Sequence, residues 1–263
     1  MSTTGKILRW QLGDLLRSRW VVAYLVFFAG FAEALFRLQG SGLRVLLGLV
    51  DVVLLLIPLA SLVFGTIYLY GAREFIELLL AQPVRRRQIF GGLYLGLAAS
   101  LSAAFALGVA IPFGYHGLGD GASYGALAIV LGAGILLTWV FTALAFLIAL
   151  KCDDRVRGLA AAILLWLGFA VVYDGALLFG ATALADYPLE TPLLLATVAN
   201  PVDLSRVLLL LRFDIAALMG YTGEVFARFF GSTVGAAVAL GALAAWVAGP
   251  VVLGMRAFRG KDF

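Results

Sequence analysis

Residues 73–90 read REFIELLLAQPVRRRQIF and separate two of the longest apolar runs in the chain. This stretch carries six charged side chains, whereas the whole chain is 63% hydrophobic and only 13% charged. With a mean hydropathy of +1.05, the chain is more apolar than a soluble domain, in which about a quarter of residues are charged. The sequence therefore predicts a membrane protein with a charged loop between two of its spans.

The apolar runs set the number of predicted spans. A helix needs roughly 20 apolar residues to cross the hydrocarbon core, and six runs reach that length. They lie at about 20–38, 43–70, 91–115, 122–150, 158–184 and 232–255. We predict an all-α polytopic membrane protein in which residues 1–263 form a single transmembrane domain.

The basic residues predict the orientation. Fourteen of the 19 Lys and Arg residues lie near the N-terminus, in 73–87, in 151–157 and in 256–261, which six spans place on one side. Because basic residues accumulate on the cytoplasmic side, we expect both termini in the cytoplasm. The charges form small groups at helix ends rather than one face, so nucleic acid is not an expected partner.

Residues 1–19 precede the first span and are amphipathic. Leu8, Leu12, Leu15 and Leu16 fall on one helical face, and most of the charged residues lie away from it. We predict a helix lying on the membrane surface, in contact with lipid.

The segment 186–231, between the last two spans, is too polar for a simple span. Its central part, TPLLLATVANPVDLSRVLLLLRF at 191–213, consists of short apolar runs interrupted by Asn200 and Pro201 and then by Arg206. We predict re-entrant helices that turn back at Asn200 and Pro201 and are surrounded by protein. The alternative of two further spans would bury Arg206, Arg212 and Asp214.

Several kinds of chemistry lack the residues they need. His116 is the only histidine, which excludes a multi-histidine metal site, and no G-x-x-x-x-G-K-[ST] motif occurs. We therefore expect no catalytic residue, no metal site and no cofactor in this chain, and any ATP must be bound by another chain. Copper(I) prefers sulfur ligands, and besides His116 and the terminal Met1 the sequence offers only Cys152, Met219 and Met255 as soft ligands.

Acidic residues at membrane depth are candidates for a functional polar site, because a carboxylate in lipid costs several kcal/mol. Glu33, Asp51 and Asp174, which follows Tyr173, are the candidates. For Glu33 and Asp51 the alternative is an ordinary surface pair with the nearby Arg37 and Arg44. We expect Asp174 to be the most functional of the three.

The order of residues in 71–90 suits a loop that receives force from a soluble partner. Acidic Glu74 and Glu77 are followed by three leucines, then Pro83, then three arginines. The leucines suit a hydrophobic cleft on the partner, and proline bends the chain. We therefore predict that the soluble partner is coupled through Glu74, Glu77, Leu78, Leu79, Leu80, Pro83, Arg85, Arg86 and Arg87.

This segment resembles the cytosolic coupling element of ABC-2-type permeases. The pattern E-L-L-L-x-x-P-[VI]-x-R is met from Glu77 to Arg86, with Pro83 and Val84 at its centre. The stretches LLLAQPVRRRQIFGGLYLG at 78–96 and ANPVDLSRVLLLL at 199–211 further resemble the permeases that serve copper-site maturation of nitrous oxide reductase.

The resemblance implies the fold and the partners. It implies a type V exporter-like fold in a bacterial inner membrane and a second copy of the chain. It also implies two cytosolic ABC ATPase subunits that bind ATP and Mg, and a periplasmic partner protein. Two alternatives remain open: an ABC-2 exporter of a lipid-linked or amphipathic organic substrate, and a membrane anchor that transports nothing.

Overall fold

The computed structural model describes residues 18–117, 124–183, 190–213, 226 and 228–261. Within these residues, six helical segments are long and apolar enough to cross a membrane, as the sequence predicts. They are α1 (Arg19–Gln39), α2 (Gly42–Gly71), α4 (Arg86–His116), α5 (Tyr124–Lys151), the segment Arg155–Ala183 and α10 (Thr233–Gly260). The predicted surface helix at 1–19 lies almost entirely outside the described residues.

Short polar residues define where the helices begin. The side chains of Asp154, Asn200 and Ser232 each accept a hydrogen bond from the first turn of the helix that follows. Each side chain thereby satisfies an N–H that has no partner within the helix. At the other end of α1, Gly40 adopts a left-handed conformation with φ 67°, which glycine takes without steric cost.

Three spans form the centre of the bundle. Within the most apolar 18 residues of each span, the buried share is 56% in α2, 61% in α4 and 67% in α5. In the segment Arg155–Ala183 it is only 11%. Four phenylalanines of the bundle are fully buried: Phe28 of α1, Phe105 of α4, and Phe141 and Phe146 of α5. Gly65 lets α2 approach α5 closely, since a Cβ there would lie 2.6 Å from the Cβ of Ala145. Because so little of the segment Arg155–Ala183 is buried, the fifth span is peripheral and leaves most of its surface for lipid or another chain.

The fifth span is not a uniform α-helix. It consists of α6 (Arg155–Leu167), a five-residue π-helical turn (Gly168–Val172) and α7 (Tyr173–Ala183). Single π-turns inside α-helices are rare and frequently mark functional sites. This turn lies halfway along the span and directly precedes Tyr173 and Asp174.

Two short helices, α8 (Glu190–Ala199) and α9 (Pro201–Arg212), lie between the fifth and sixth spans, and the chain bends by 113° from one to the other. The bend falls at Asn200 and Pro201, the residues predicted for it. The Asn200 side chain donates to the carbonyl of Phe169 at 2.9 Å, and the Trp246 indole donates to the carbonyl of Val198 at 3.2 Å. Because Phe169 and Trp246 lie halfway along their spans, the bend reaches the middle of the bundle. We call the bend at Asn200 and Pro201 the elbow.

Candidate functional site

The coupling segment, residues 71–90, contains a short helix and a turn. Helix α3 (Arg73–Leu80) follows α2 directly, and α4 begins at Arg86 after a turn that contains Pro83. Ile76 is fully buried. Glu74, Glu77, Leu78, Pro83, Arg85 and Arg87 are exposed.

The three leucines of this segment differ in accessibility. Leu78 is 67% exposed, whereas Leu79 and Leu80 are half-buried and pack against the protein's own core. The sequence predicts that the three leucines enter a hydrophobic cleft on the partner, with Leu79 and Leu80 as the anchors. The structure makes Leu78 the apolar side chain most available to a partner.

Arg86 is bound within the chain. Its guanidinium donates to the carbonyls of Phe258, Arg259 and Lys261 at 3.2, 3.1 and 2.7 Å. These carbonyls lie at the C-terminus of α10, where the helix leaves carbonyl groups unpaired and carries partial negative charge. Arg86 therefore ties the beginning of α4 to the end of the last span, and differs in this from the exposed Arg85 and Arg87.

Other contacts join the same end of the bundle, which we call the inner end. The Tyr70 hydroxyl donates to the carbonyl of Cys152 at 2.8 Å, and the Arg73 guanidinium donates to that of Asp153 at 3.0 Å. Lys261 donates to the carbonyl of Leu150 at 2.7 Å and pairs with the Asp153 carboxylate at 2.9 Å. The hydrogen bond from Lys261 lowers the pKa of Asp153.

The coupling segment thus contacts two other parts of the inner end. Its helix α3 is fixed to the loop at 152–154 through Arg73, and the beginning of α4 is fixed to the end of α10 through Arg86. Lys261 joins those two parts to each other. A displacement of α3 would therefore act on the fourth, fifth and sixth spans as well as on the second and third.

A second group of polar residues lies at the elbow. The Arg206 guanidinium contacts the carboxylates of Asp174 at 2.6 Å and Asp203 at 2.8 Å. The fully buried Asn200 donates to Asp203 at 3.1 Å, and the Tyr173 hydroxyl donates to the carbonyl of Ala196 at 2.7 Å. We call these five residues the elbow cluster.

The elbow cluster joins residues that the sequence predicted separately. Tyr173 and Asp174 come from the fifth span, whereas Asn200 and Arg206 come from the bent helix pair. Asp203 was missed, although its spacing of three residues from both Asn200 and Arg206 places all three on one side of α9. The carboxylates of Asp174 and Asp203 and the guanidinium of Arg206 line a cleft of about 300 Å³ that is otherwise mostly apolar.

Glu33 and Asp51 differ from Asp174. Glu33 pairs with Arg37 at 2.9 Å and with the His116 ring at 2.7 Å, which is the ordinary pairing considered as the alternative. Asp51 is exposed and, among the residues that the structure describes, forms no ion pair with Arg44 or any other residue.

The soft-ligand candidates do not converge. In the described part of the chain, no three His, Cys, Asp or Glu side chains lie close enough together to hold a metal ion. Cys152 lies at the inner end and His116 at the opposite end of the bundle, beside Glu33. Met219 lies outside the described residues.

Comparison with known proteins agrees with this architecture. Residues 43–263 match the family described as ABC-2 family transporter protein, and the chain belongs to this family of ABC transporter permeases. It is 29% identical to a protein of Pseudomonas aeruginosa named "Probable ABC transporter permease protein NosY", over 98% of both chains. A protein of Stutzerimonas stutzeri with the same name is 28% identical, over 98% of this chain and 99% of its own.

Proposed function

We propose that this chain is the membrane subunit of an ABC transporter and that a separate cytosolic ATPase moves its spans by pressing on the coupling segment. The observation that carries the proposal is the accessibility of α3. Its outer face offers Leu78 between exposed Glu74 and Glu77, while its other face is fixed to the rest of the inner end. An exposed apolar side chain can contribute strongly to binding when a partner buries it and the surrounding contacts exclude water.

The working complex contains two copies of this chain in a type V exporter-like arrangement, with two ATPase subunits that bind ATP and Mg. The chain itself holds no cofactor and catalyses no reaction. Its sparsely buried fifth span supports the second copy, because a peripheral helix offers surface for a symmetric contact.

We further propose that the complex serves copper-site maturation of nitrous oxide reductase, following the two relatives named NosY. In this proposal a periplasmic partner handles the copper and this chain supplies only movement. The separation of His116 and Cys152 supports this division, since copper(I) needs several soft ligands in one place.

If the periplasmic partner alone handles the copper, the soft ligands of this chain are dispensable for maturation of the reductase. Replacing His116 by alanine and Met255 by leucine together should leave reductase maturation unchanged, because the two side chains share no site. Copper content of the reductase from cells with equal permease levels measures this. A reductase without copper would show that the permease binds the ion itself.

The orientation of the bundle is a second prediction. In a Cys152→Ser background, cysteines at Leu38 and Tyr124 should react in intact cells with a membrane-impermeant thiol reagent. Cysteines at Val156 and Pro83 should react only after the cells are opened. All four positions are exposed, so differences in labelling report the side of the membrane. Labelling of Pro83 in intact cells would contradict a cytosolic coupling segment.

Removing the Arg86 side chain is expected to uncouple ATP turnover from transport without weakening binding of the ATPase. Arg86→Ala removes the donor to three carbonyls and should destabilise the end of α10 by about 1–2 kcal/mol. Hydrogen exchange of amides near residue 258 should become faster, and ATP turnover should no longer support transport, while ATPase affinity stays unchanged. Arg85→Ala is the matched control because Arg85 is exposed. Equal behaviour of the two variants would show that the Arg86 contacts transmit nothing.

A further inference from the structure

An apolar groove of about 400 Å³ opens at the inner end of the bundle, between α1, α2 and α4. Its walls are mostly aliphatic and aromatic and include Val63, Phe64, Leu97 and Leu101. We call it the inner groove.

The direction of the inner groove restricts what it can hold. Its mouth is lined by Ser18, directly before α1, and by Arg155, the first residue of α6. Leu97 and Leu101 come 11 and 15 residues after Arg86, so the far end lies roughly 17–22 Å from the beginning of α4 at 1.5 Å per residue. The groove therefore runs along the spans, in the direction of a lipid acyl chain.

The mouth of the groove has an unpaired positive charge. Arg155 is exposed, and among the described residues its guanidinium has no hydrogen bond or ion pair. Trp20 is 70% exposed at the same place, as expected at a membrane interface. On the cytoplasmic side of a membrane, the anions that meet such a charge at this depth are lipid headgroups.

We propose that the inner groove binds one acyl chain of an anionic phospholipid from the cytoplasmic leaflet, with the lipid phosphate on Arg155. A guanidinium suits a phosphate because its donors form a planar fork. The bound acyl chain fills the space between α1 and the central helices. It thereby stabilises α1, since only 28% of the most apolar 18 residues of this span are buried within the protein. The site requires that the chain spans a membrane with its inner end on the cytoplasmic side, and it does not depend on coupling to an ATPase.

Native mass spectrometry of the purified complex tests this site. The complex is reconstituted with equal parts of phosphatidylcholine and phosphatidylglycerol, and lipid retained after mild activation is counted. Arg155→Gln should lower retained phosphatidylglycerol about fivefold, which corresponds to about 1 kcal/mol for one basic residue at the membrane surface. Arg157→Gln, two residues further on the same helix, should leave retention unchanged.

A second pair of variants tests the apolar part. Val63→Trp fills the groove and should abolish retention of phosphatidylglycerol, whereas Val26→Trp, at a position of α1 that is 59% exposed, should not. Equal losses in Arg155→Gln and Arg157→Gln would overturn the proposal, since they would indicate general attraction to the headgroups. Unchanged retention of phosphatidylglycerol in Val63→Trp would also overturn the proposal. If Val63→Trp instead prevents dimer formation, the groove binds the second copy of the chain and the lipid proposal is wrong. ATPase co-purification is recorded in the same experiment, so failure of the coupling proposal is seen separately.

Discussion

Replacing Arg206 by methionine is expected to destabilise the chain by about 2 kcal/mol, because two carboxylates of the elbow cluster lose their shared cation. Removing one partner of a fully buried ion pair costs about 3–5 kcal/mol. Here Arg206 and Asp174 are 32% and 34% exposed, so solvent reduces the effect, but Asp203 is only 7% exposed. Thermal unfolding of the purified chain in detergent measures the change.

The same logic predicts a rescue. Adding Asp203→Asn to Arg206→Met should restore much of the lost stability, because an amide at this position carries no charge to compensate. Arg37→Met is the matched control: Arg37 also pairs with a carboxylate, but it is 77% exposed, and such surface pairs contribute about 0–1 kcal/mol. Equal effects of Arg206→Met and Arg37→Met would show that the elbow cluster does not hold the bent helix pair in place.

Leu78→Asp is expected to weaken binding of the ATPase about thirtyfold, which corresponds to about 2 kcal/mol for one interface hot spot. The change introduces a charge where the partner's apolar cleft should lie. Folding should be unaffected because Leu78 is 67% exposed. Affinity is measured by titrating the ATPase onto the chain in nanodiscs, and ATP turnover of the complex is recorded alongside.

Val156→Asp is the control for this experiment. Val156 is 75% exposed and follows the other inner-end loop, so it matches Leu78 in exposure and chemistry but lies outside α3. A change at Leu79 is less informative, since that side chain also packs on the protein's own core. If the two aspartate variants bind the ATPase equally well, α3 does not form its docking surface.

The spans and the position of the elbow could be predicted because they follow from local signals. Long apolar runs identify spans, and Asn200 followed by Pro201 both caps α9 and ends α8. The orientation of α3 also had a local signal that the prediction did not use. Ile76, Leu79 and Leu80 are spaced by three and four residues and share the buried side, which leaves Leu78 on the exposed side.

The contacts of the site could not be predicted because their partners are distant in sequence. Arg206 lies 32 residues from Asp174, and the carbonyls that bind Arg86 lie 172–175 residues from it. A backbone carbonyl leaves no mark in the sequence, so an arginine that binds three of them resembles any other basic residue near a membrane. Only the packing of α4 against α10 distinguishes Arg86 from Arg85 and Arg87.

Photo-cross-linking from α3 tests the central claim most directly. A photoreactive residue is introduced at Leu78, and cells that also express the ATPase are irradiated. We predict a cross-link between Leu78 and the ATPase, and none from Leu38, which is 82% exposed at the opposite end of the bundle. A cross-link to the ATPase from Leu38, or its absence at Leu78 while the complex co-purifies, would contradict the coupling role of this segment.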